Sequence, residues 1–142
     1  MKWEEIDFNR QVWETPDGKN NLPQRMILCT QAIDLLTNRK SNNTEDSPFV
    51  FPSKSEKGHL VEPKKGWQRI LRNSGIDRNI TIHDLRRTFA SFMRDIGADE
   101  MMIKKALNHT NKDVTAIYAR GGENVLKDNI QKAADRIYGK IK

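Results

Sequence analysis

Two periodicities divide the chain. Through about the first thirty residues, short β-prone runs are separated by turn formers; from Pro63 onward, apolar residues recur at helical spacing. Gln11-Val12-Trp13-Glu14 and Gln24-Arg25-Met26-Ile27-Leu28 read as two strands. Between them, Thr15-Pro16-Asp17-Gly18-Lys19-Asn20-Asn21-Leu22-Pro23 is dense in residues that turn the backbone. The pattern predicts a hairpin with Lys19 in or beside its turn. Thr30 is placed to N-cap a helix running to about Leu36, with Ile33 and Leu36 inward. Ser41 to Pro48 is polar and loop-like, and Phe49-Val50-Phe51-Pro52 predicts a brief buried segment.

Pro63 suits the first turn of a helix whose apolar face is Trp67, Ile70 and Leu71 and which Ser74-Gly75 ends. Thr81 and Asp84 have the spacing of a capping box, with Asp standing where Glu or Gln is usual. Leu85, Phe89, Phe92 and Ile96 follow at helical intervals until Gly97. A further helix is expected over about Asp99 to Leu107, with Met102, Ile103, Ala106 and Leu107 inward, and a short one over about Lys112 to Tyr118. Gly121-Gly122 should break the chain before a last helix over about 124–141, striped by Leu126, Ile130, Ala133, Ile137 and Ile141. These elements define an α+β class, mainly α: strands within about 8–28, a helical core over about 30–120, then the tail helix.

The 142 residues suit one domain of ordinary size. No run approaches the roughly 20 apolar residues of a membrane span. Met1 leads directly into Trp3-Glu4-Glu5-Ile6-Asp7 rather than a signal peptide, so the expected location is the cytoplasm. Cys29 is the only cysteine, which excludes an internal disulfide and a cysteine-based zinc site. Charge sharpens the picture: the net +6 is the sum of −2 over residues 1–52 and +8 over residues 53–142. An excess confined to one part of the chain fits a polyanion-facing surface, with nucleic acid the leading partner, and it equally fits a solvated face.

His83 and Arg86 lie three apart at a helix start, so both project from one face, beside free backbone N–H groups and the positive end of the helix dipole. That combination can cradle a phosphate; by itself H-x-x-R also describes an ordinary exposed pair. His109 follows Leu107-Asn108, where Asn108 is suited to a left-handed C-cap that would fix the histidine outside the helix. A capping or solvent-facing histidine is the alternative. Tyr118 sits in Val114-Thr115-Ala116-Ile117-Tyr118-Ala119-Arg120, where a lone tyrosine also suits a core edge.

The order of these residues adds what none carries alone. Lys19, then His83-x-x-Arg86, then Leu107-Asn108-His109, then Tyr118 resembles the catalytic domain of the tyrosine recombinases, the phage-integrase family. Thr81-Ile82-His83-Asp84-Leu85-Arg86-Arg87-Thr88-Phe89-Ala90-Ser91 is similar to the family's H-D-L-R-R-T-x-A-S block. Leu107-Asn108-His109 through Tyr118-Ala119-Arg120 is similar to its L-G-H…T-x-x-Y-x-H block. Lys2-Trp3-Glu4-Glu5-Ile6-Asp7 resembles W-x-D-I-D, and Lys19-Asn20 through Met26-Ile27-Leu28 resembles the K-N-G-R…V-P-L hairpin.

The resemblance implies a helical catalytic domain that cleaves and rejoins double-stranded DNA through a covalent 3′-phosphotyrosine, with no cofactor and no metal. It implies Tyr118 as nucleophile, Arg86 on the phosphate oxygens, His83 and His109 as hydrogen-bond donors or proton shuttles, and Lys19 as proton donor to the leaving 5′-oxygen. Arg87, Lys64, Lys65 and Arg69 are candidates for further DNA contact. In the family, tails such as the one after Gly121-Gly122 pack onto a neighbouring protomer, so self-association and a tetramer on DNA are expected of the full-length protein; folding back onto its own domain is the alternative. Asn108 departs mildly from the family's glycine. The larger departure is the T-G-x-R-x-x-E block that supplies a further arginine just before W-x-D-I-D: it is not in this sequence, and neither is the core-binding domain. The expectation is an enzyme segment that is inactive alone; a naturally short, catalytically dead DNA-binding or assembly module is the alternative, with a relaxing enzyme of topoisomerase type ranked below both.

Overall fold

A computed structural model describes residues 1–16, 23–43, 46–76, 79–108 and 122–141, with residues 140 and 141 in backbone only. A three-residue 3-10 turn, Trp3–Glu5, leads into three antiparallel strands in sequence order: β1 (Ile6–Asp7), β2 (Val12–Thr15) and β3 (Gln24–Ile27). β1 is too short to register as a period, and the sequence pattern predicted only β2 and β3. Register runs from Val12↔Ile27 to Thr15↔Gln24, so β2 and β3 are the arms of one hairpin. Its connection contains Lys19, which lies outside the described residues.

Helix α1 spans Thr30–Ser41, about a turn longer than predicted, with Leu36 buried as expected. Its N-cap is Cys29, not Thr30, and Cys29 provides no side-chain cap. The capping function comes from elsewhere. Gln131, on the last helix, accepts from Thr30 N–H at 2.8 Å and from Thr30 Oγ1 at 3.0 Å. Leu36, Ile6 and Val50 form one apolar core, with Trp3, Phe8, Trp13 and Leu28 packed on it. The chain start is stitched in by Trp3 N–H to Pro48 O (3.0 Å) and Val50 N–H to Met1 O (3.2 Å). Of the segment predicted to be buried, Val50 is buried, whereas Phe51 is exposed beneath the Arg39 guanidinium.

The second core joins three helices. α3 (Ile82–Asp95) opens on the predicted capping box, and Gly97 leaves it in the left-handed conformation (φ 83°). α4 (Glu100–Ala106) is N-capped by Asp99, whose carboxylate accepts from Met102 N–H at 2.7 Å. α5 (Gly122–Ile141) begins two residues earlier than predicted. Ala90, Met93, Ile103 and Ala133 form the centre, with Phe89, Phe92 and Ile96 around it. Leu85, predicted inward, is half exposed, and so is Ile70 of α2 (Lys64–Asn73), because the covered arc of each helix is rotated away from them. On α3 that arc centres on Ala90 and Met93.

The tail helix lies against its own chain. Leu126, Ile130, Ala133 and Ala134 are buried, Ala133 in the core shared with α3 and α4; Ile137 is half-buried and the side chain of Ile141 lies outside the described residues. A polar seam flanks that apolar face. Gln131 Nε2 donates to Gln31 Oε1 (3.0 Å) and to Asp135 Oδ1 (2.8 Å), and Arg25 on β3 engages Glu123 in the first turn of α5. No helix among the described residues is long and apolar enough to cross a membrane.

Candidate functional site

α3 carries His83 in its first turn and Arg86 at the start of the next, and the reason the helix starts there is local. Thr81 N–H and Oγ1 both donate to Asp84 Oδ2, at 2.8 and 2.6 Å. The Thr81 hydroxyl is the main cause that holds the Asp84 carboxyl below its ordinary range, so Asp84 stays ionised as a cap. Arg87 donates to the other oxygen, Asp84 Oδ1, at 2.9 Å. Part of the Arg87 charge is therefore compensated within its own turn, though its side chain remains exposed.

Arg86 is half-buried, and its Nη2 donates to the carbonyl oxygen of Leu107, the C-cap of α4. A guanidinium has five N–H donors, so one bond to a carbonyl leaves others for an anion. The bond joins two sequence motifs that are 21 residues apart. It also places a cation at the negative end of α4, where the unsatisfied carbonyls gather. Asn108 follows in the left-handed region, at φ 52°, as its C-cap reading required, with its N–H on Lys105 O at 2.9 Å. His109 and Tyr118 lie outside the described residues, as does the predicted helix over 112–118.

His83 is exposed and lines a cleft of about 370 Å³ together with Lys64, Trp67, Leu71, Ile80 and Thr81. The cleft is shaped by one partly buried bond: Trp67 Nε1–H donates to Ile80 O at 2.7 Å and ties α2 to the segment entering α3. The N-termini of α2 and α3 thereby open on the same cleft, and both present free backbone N–H groups. Lys64, Lys65 and Arg69 are all exposed on α2. A polyanion laid across these helix starts would meet Lys64 and His83 together. Among the described residues, no group of three or more His, Cys, Asp or Glu side chains is placed to hold a metal ion.

Comparison with known proteins places this arrangement. A family model described as "Phage integrase family" matches residues 1–124. The chain belongs to the phage integrase family. It is 29% identical over 136 residues to the tyrosine recombinase XerA of Pyrococcus furiosus, covering 94% of this chain and 47% of that protein. To the tyrosine recombinase XerD of Agrobacterium fabrum it is 31% identical over 137 residues, 80% of this chain and 41% of that protein. The crystal structure of a XerA recombinase superposes with a TM-score of 0.62 at 20% identity, covering 100% of this chain and 50% of that one, which establishes the shared fold. The chain spans about half the length of these relatives.

Within the family frame, the pattern did not announce the Leu107 carbonyl as the partner of Arg86, because a backbone oxygen leaves no trace in residue identity. Nor did it single out Arg25, whose acidic partner lies 98 positions further along. Glu14, directly across the hairpin from Arg25, was the one local cue.

Proposed function

We propose that this chain is the catalytic segment of a site-specific DNA recombinase, cleaving and rejoining double-stranded DNA through a 3′-phosphotyrosyl link. The observation that carries the reading is the Arg86–Leu107 bond, which holds the H-x-x-R helix against the turn leading into His109. Tyr118 supplies the attacking phenol oxygen. As its bond to phosphorus forms, the bond from phosphorus to the 5′-oxygen breaks, and that oxygen takes a proton from the Lys19 ammonium. Arg86 stabilises the charge growing on the non-bridging oxygens, with His83 and His109 donating to the same phosphate or moving the phenol proton. The phosphotyrosine conserves bond energy, so a 5′-hydroxyl reverses the step without ATP. The reaction takes place in the cytoplasm, where the DNA is.

Without the arginine of a T-G-x-R block, the 142 residues alone cleave poorly. Removing one donor to a developing oxyanion costs about 3–4 kcal/mol, or about 10²–10³ in rate. A second reading, a module that binds recombination sites without cutting them, rests on the exposed cations Lys64, Lys65 and Arg69 along α2. Lys64, Lys65, Arg69 and Arg87 add phosphate contacts with little sequence information. In a tetramer on DNA that exchanges tails, a neighbour's α5 would take the seat against α3 and α4 that this chain's own α5 fills.

The test is covalent capture. Nicked suicide duplexes with randomised arms are incubated with the chain, and SDS-stable adducts are recovered over repeated rounds. The expected result is slow enrichment of one sequence class, abolished by Tyr118→Phe. Salt-sensitive binding with no adduct supports the second reading, and adducts that survive Tyr118→Phe remove Tyr118 as the nucleophile.

A further inference from the structure

The first turn of α3 stands outside the apolar core that holds the rest of that helix. Ala90 and Met93 are buried with Ile103 and Ala133, whereas Ile82 and Leu85, at the helix start, stay 43% and 50% exposed. Arg86 has its own anchor in the bond to the Leu107 carbonyl. His83 is exposed and precedes both anchors along the helix. The Thr81–Asp84 box stiffens the turn from within, through bonds of 2.8 and 2.6 Å. A box closed on itself does not set where the turn sits.

Trp67 sets it. From the first turn of α2 its indole N–H donates to Ile80 O at 2.7 Å, across 13 positions of sequence. Ile80 directly precedes the cap residue Thr81, and Lys64, Trp67, Ile80, Thr81 and His83 line one cleft. An indole is a rigid plate with a single donor, so the contact fixes direction as well as distance. We propose that Trp67 is a positioning residue for strand cleavage: through the Ile80 carbonyl it sets the first turn of α3 against α2, and so sets where the His83 imidazole meets the scissile phosphate beside Lys64. This rests on the recombinase reading given above. A displacement of about 1 Å at a group acting on the reacting centre can reduce rate about 10²-fold. A bond that serves placement therefore weighs more in rate than in stability.

The molecule contains its own control. Trp13 Nε1–H donates to Glu5 Oε2 at 3.0 Å, an indole bond at the edge of the other core. Both tryptophans are half-buried. Phenylalanine at either position keeps an aromatic ring and removes one donor, so the two changes are alike in kind and differ in what lies behind the bond.

The experiment uses the duplex recovered by covalent capture, made with a bridging 5′-sulfur at the scissile bond. A thiolate leaves without a proton, which keeps slow variants measurable. Adduct formation is followed at saturating duplex and expressed per folded molecule, with the folded fraction taken from circular dichroism. Trp67→Phe is expected to lower the rate about 10–100-fold, and Trp13→Phe to stay within about threefold of wild type. His83→Gln should also lower it. Adding Trp67→Phe to His83→Gln should reduce the rate by no more than about a further twofold, since the indole acts through the imidazole. Equal losses in the two tryptophan variants, no loss in Trp67→Phe or in His83→Gln, or a full Trp67→Phe loss persisting beside His83→Gln overturns the proposal while the recombinase reading stands. A wild-type chain that forms no adduct overturns the recombinase reading and the proposal with it.

Discussion

Replacing Gln131 by alanine sets two elementary effects against each other, and the structure says which wins. On an exposed helix face, alanine is the better helix former by a few tenths of a kcal/mol, so propensity alone predicts a small gain for α5. Gln131 is also the acceptor for Thr30 N–H and Thr30 Oγ1, at 2.8 and 3.0 Å, in a helix whose own N-cap residue offers none. Losing an N-cap acceptor costs about 1 kcal/mol. The net expectation is a loss of about 0.5–1 kcal/mol, or about 2–4 °C in Tm for a domain of this size. Urea unfolding followed by circular dichroism measures it as a lower midpoint at unchanged slope. The neighbouring Lys132→Ala change is the control: it alters the same exposed helix with no bond across the seam, and it should leave stability level or slightly higher. Amide exchange in the first turn of α1 should quicken in Gln131→Ala alone. If Gln131→Ala matches Lys132→Ala in midpoint, α1 does not depend on the tail helix for its cap and the reasoning fails.

Three further outcomes are expected. Met93 is fully buried among Ala90, Ile103 and Ala133, so Met93→Ala should destabilise by about 2–5 kcal/mol in the same unfolding experiment. Asn108 sits at φ 52°, so Asn108→Gly should be neutral or slightly stabilising while Asn108→Val should lose about 1–2 kcal/mol; equal stability of the two would contradict a left-handed cap. The Glu123 and Asp84 carboxyls are both held below their ordinary range, Glu123 by its bond from Arg25 and Asp84 by the Thr81 hydroxyl. Their contribution is therefore intact above the ordinary carboxylate range, about pH 4–5, and is lost as pH falls through the lowered values. Glu123→Gln should flatten part of the acid limb of a stability-against-pH curve, with a small loss of stability at neutral pH that disappears once the carboxyl is protonated.

The features legible in the sequence are those whose cause lies within a few residues. The Thr81–Asp84 box, the glycine stop at Gly97 and the left-handed Asn108 are all set by chain-neighbour geometry, and all three appear as expected. Apolar spacing identified α3 and α5 but not the rotation of their covered arcs. Leu85 and Ile70 satisfy the period yet lie outside the contact, since which arc is covered depends on a neighbour far along the chain. The Arg25 fork and the Gln131 cap join residues about a hundred positions apart, and no local rule reaches that far. The family motifs were legible for a different reason: membership of the phage integrase family shows in residue type and order over residues 1–124, which leaves a backbone partner such as the Leu107 carbonyl unspecified.

The seam between α1 and α5 also orders events in time. A ribosome adding about 5–20 residues per second completes Thr30 several seconds before it reaches Gln131. Throughout that interval the first turn of α1 has no side-chain acceptor, and Arg25 has Glu14 but not Glu123. The sheet and first helix are therefore made early and finished late, held open until the final helix emerges. Synthesis that stops short of residue 131 would leave an uncapped helix and a bare α3–α4 face, the kind of surface on which chaperones and proteases act.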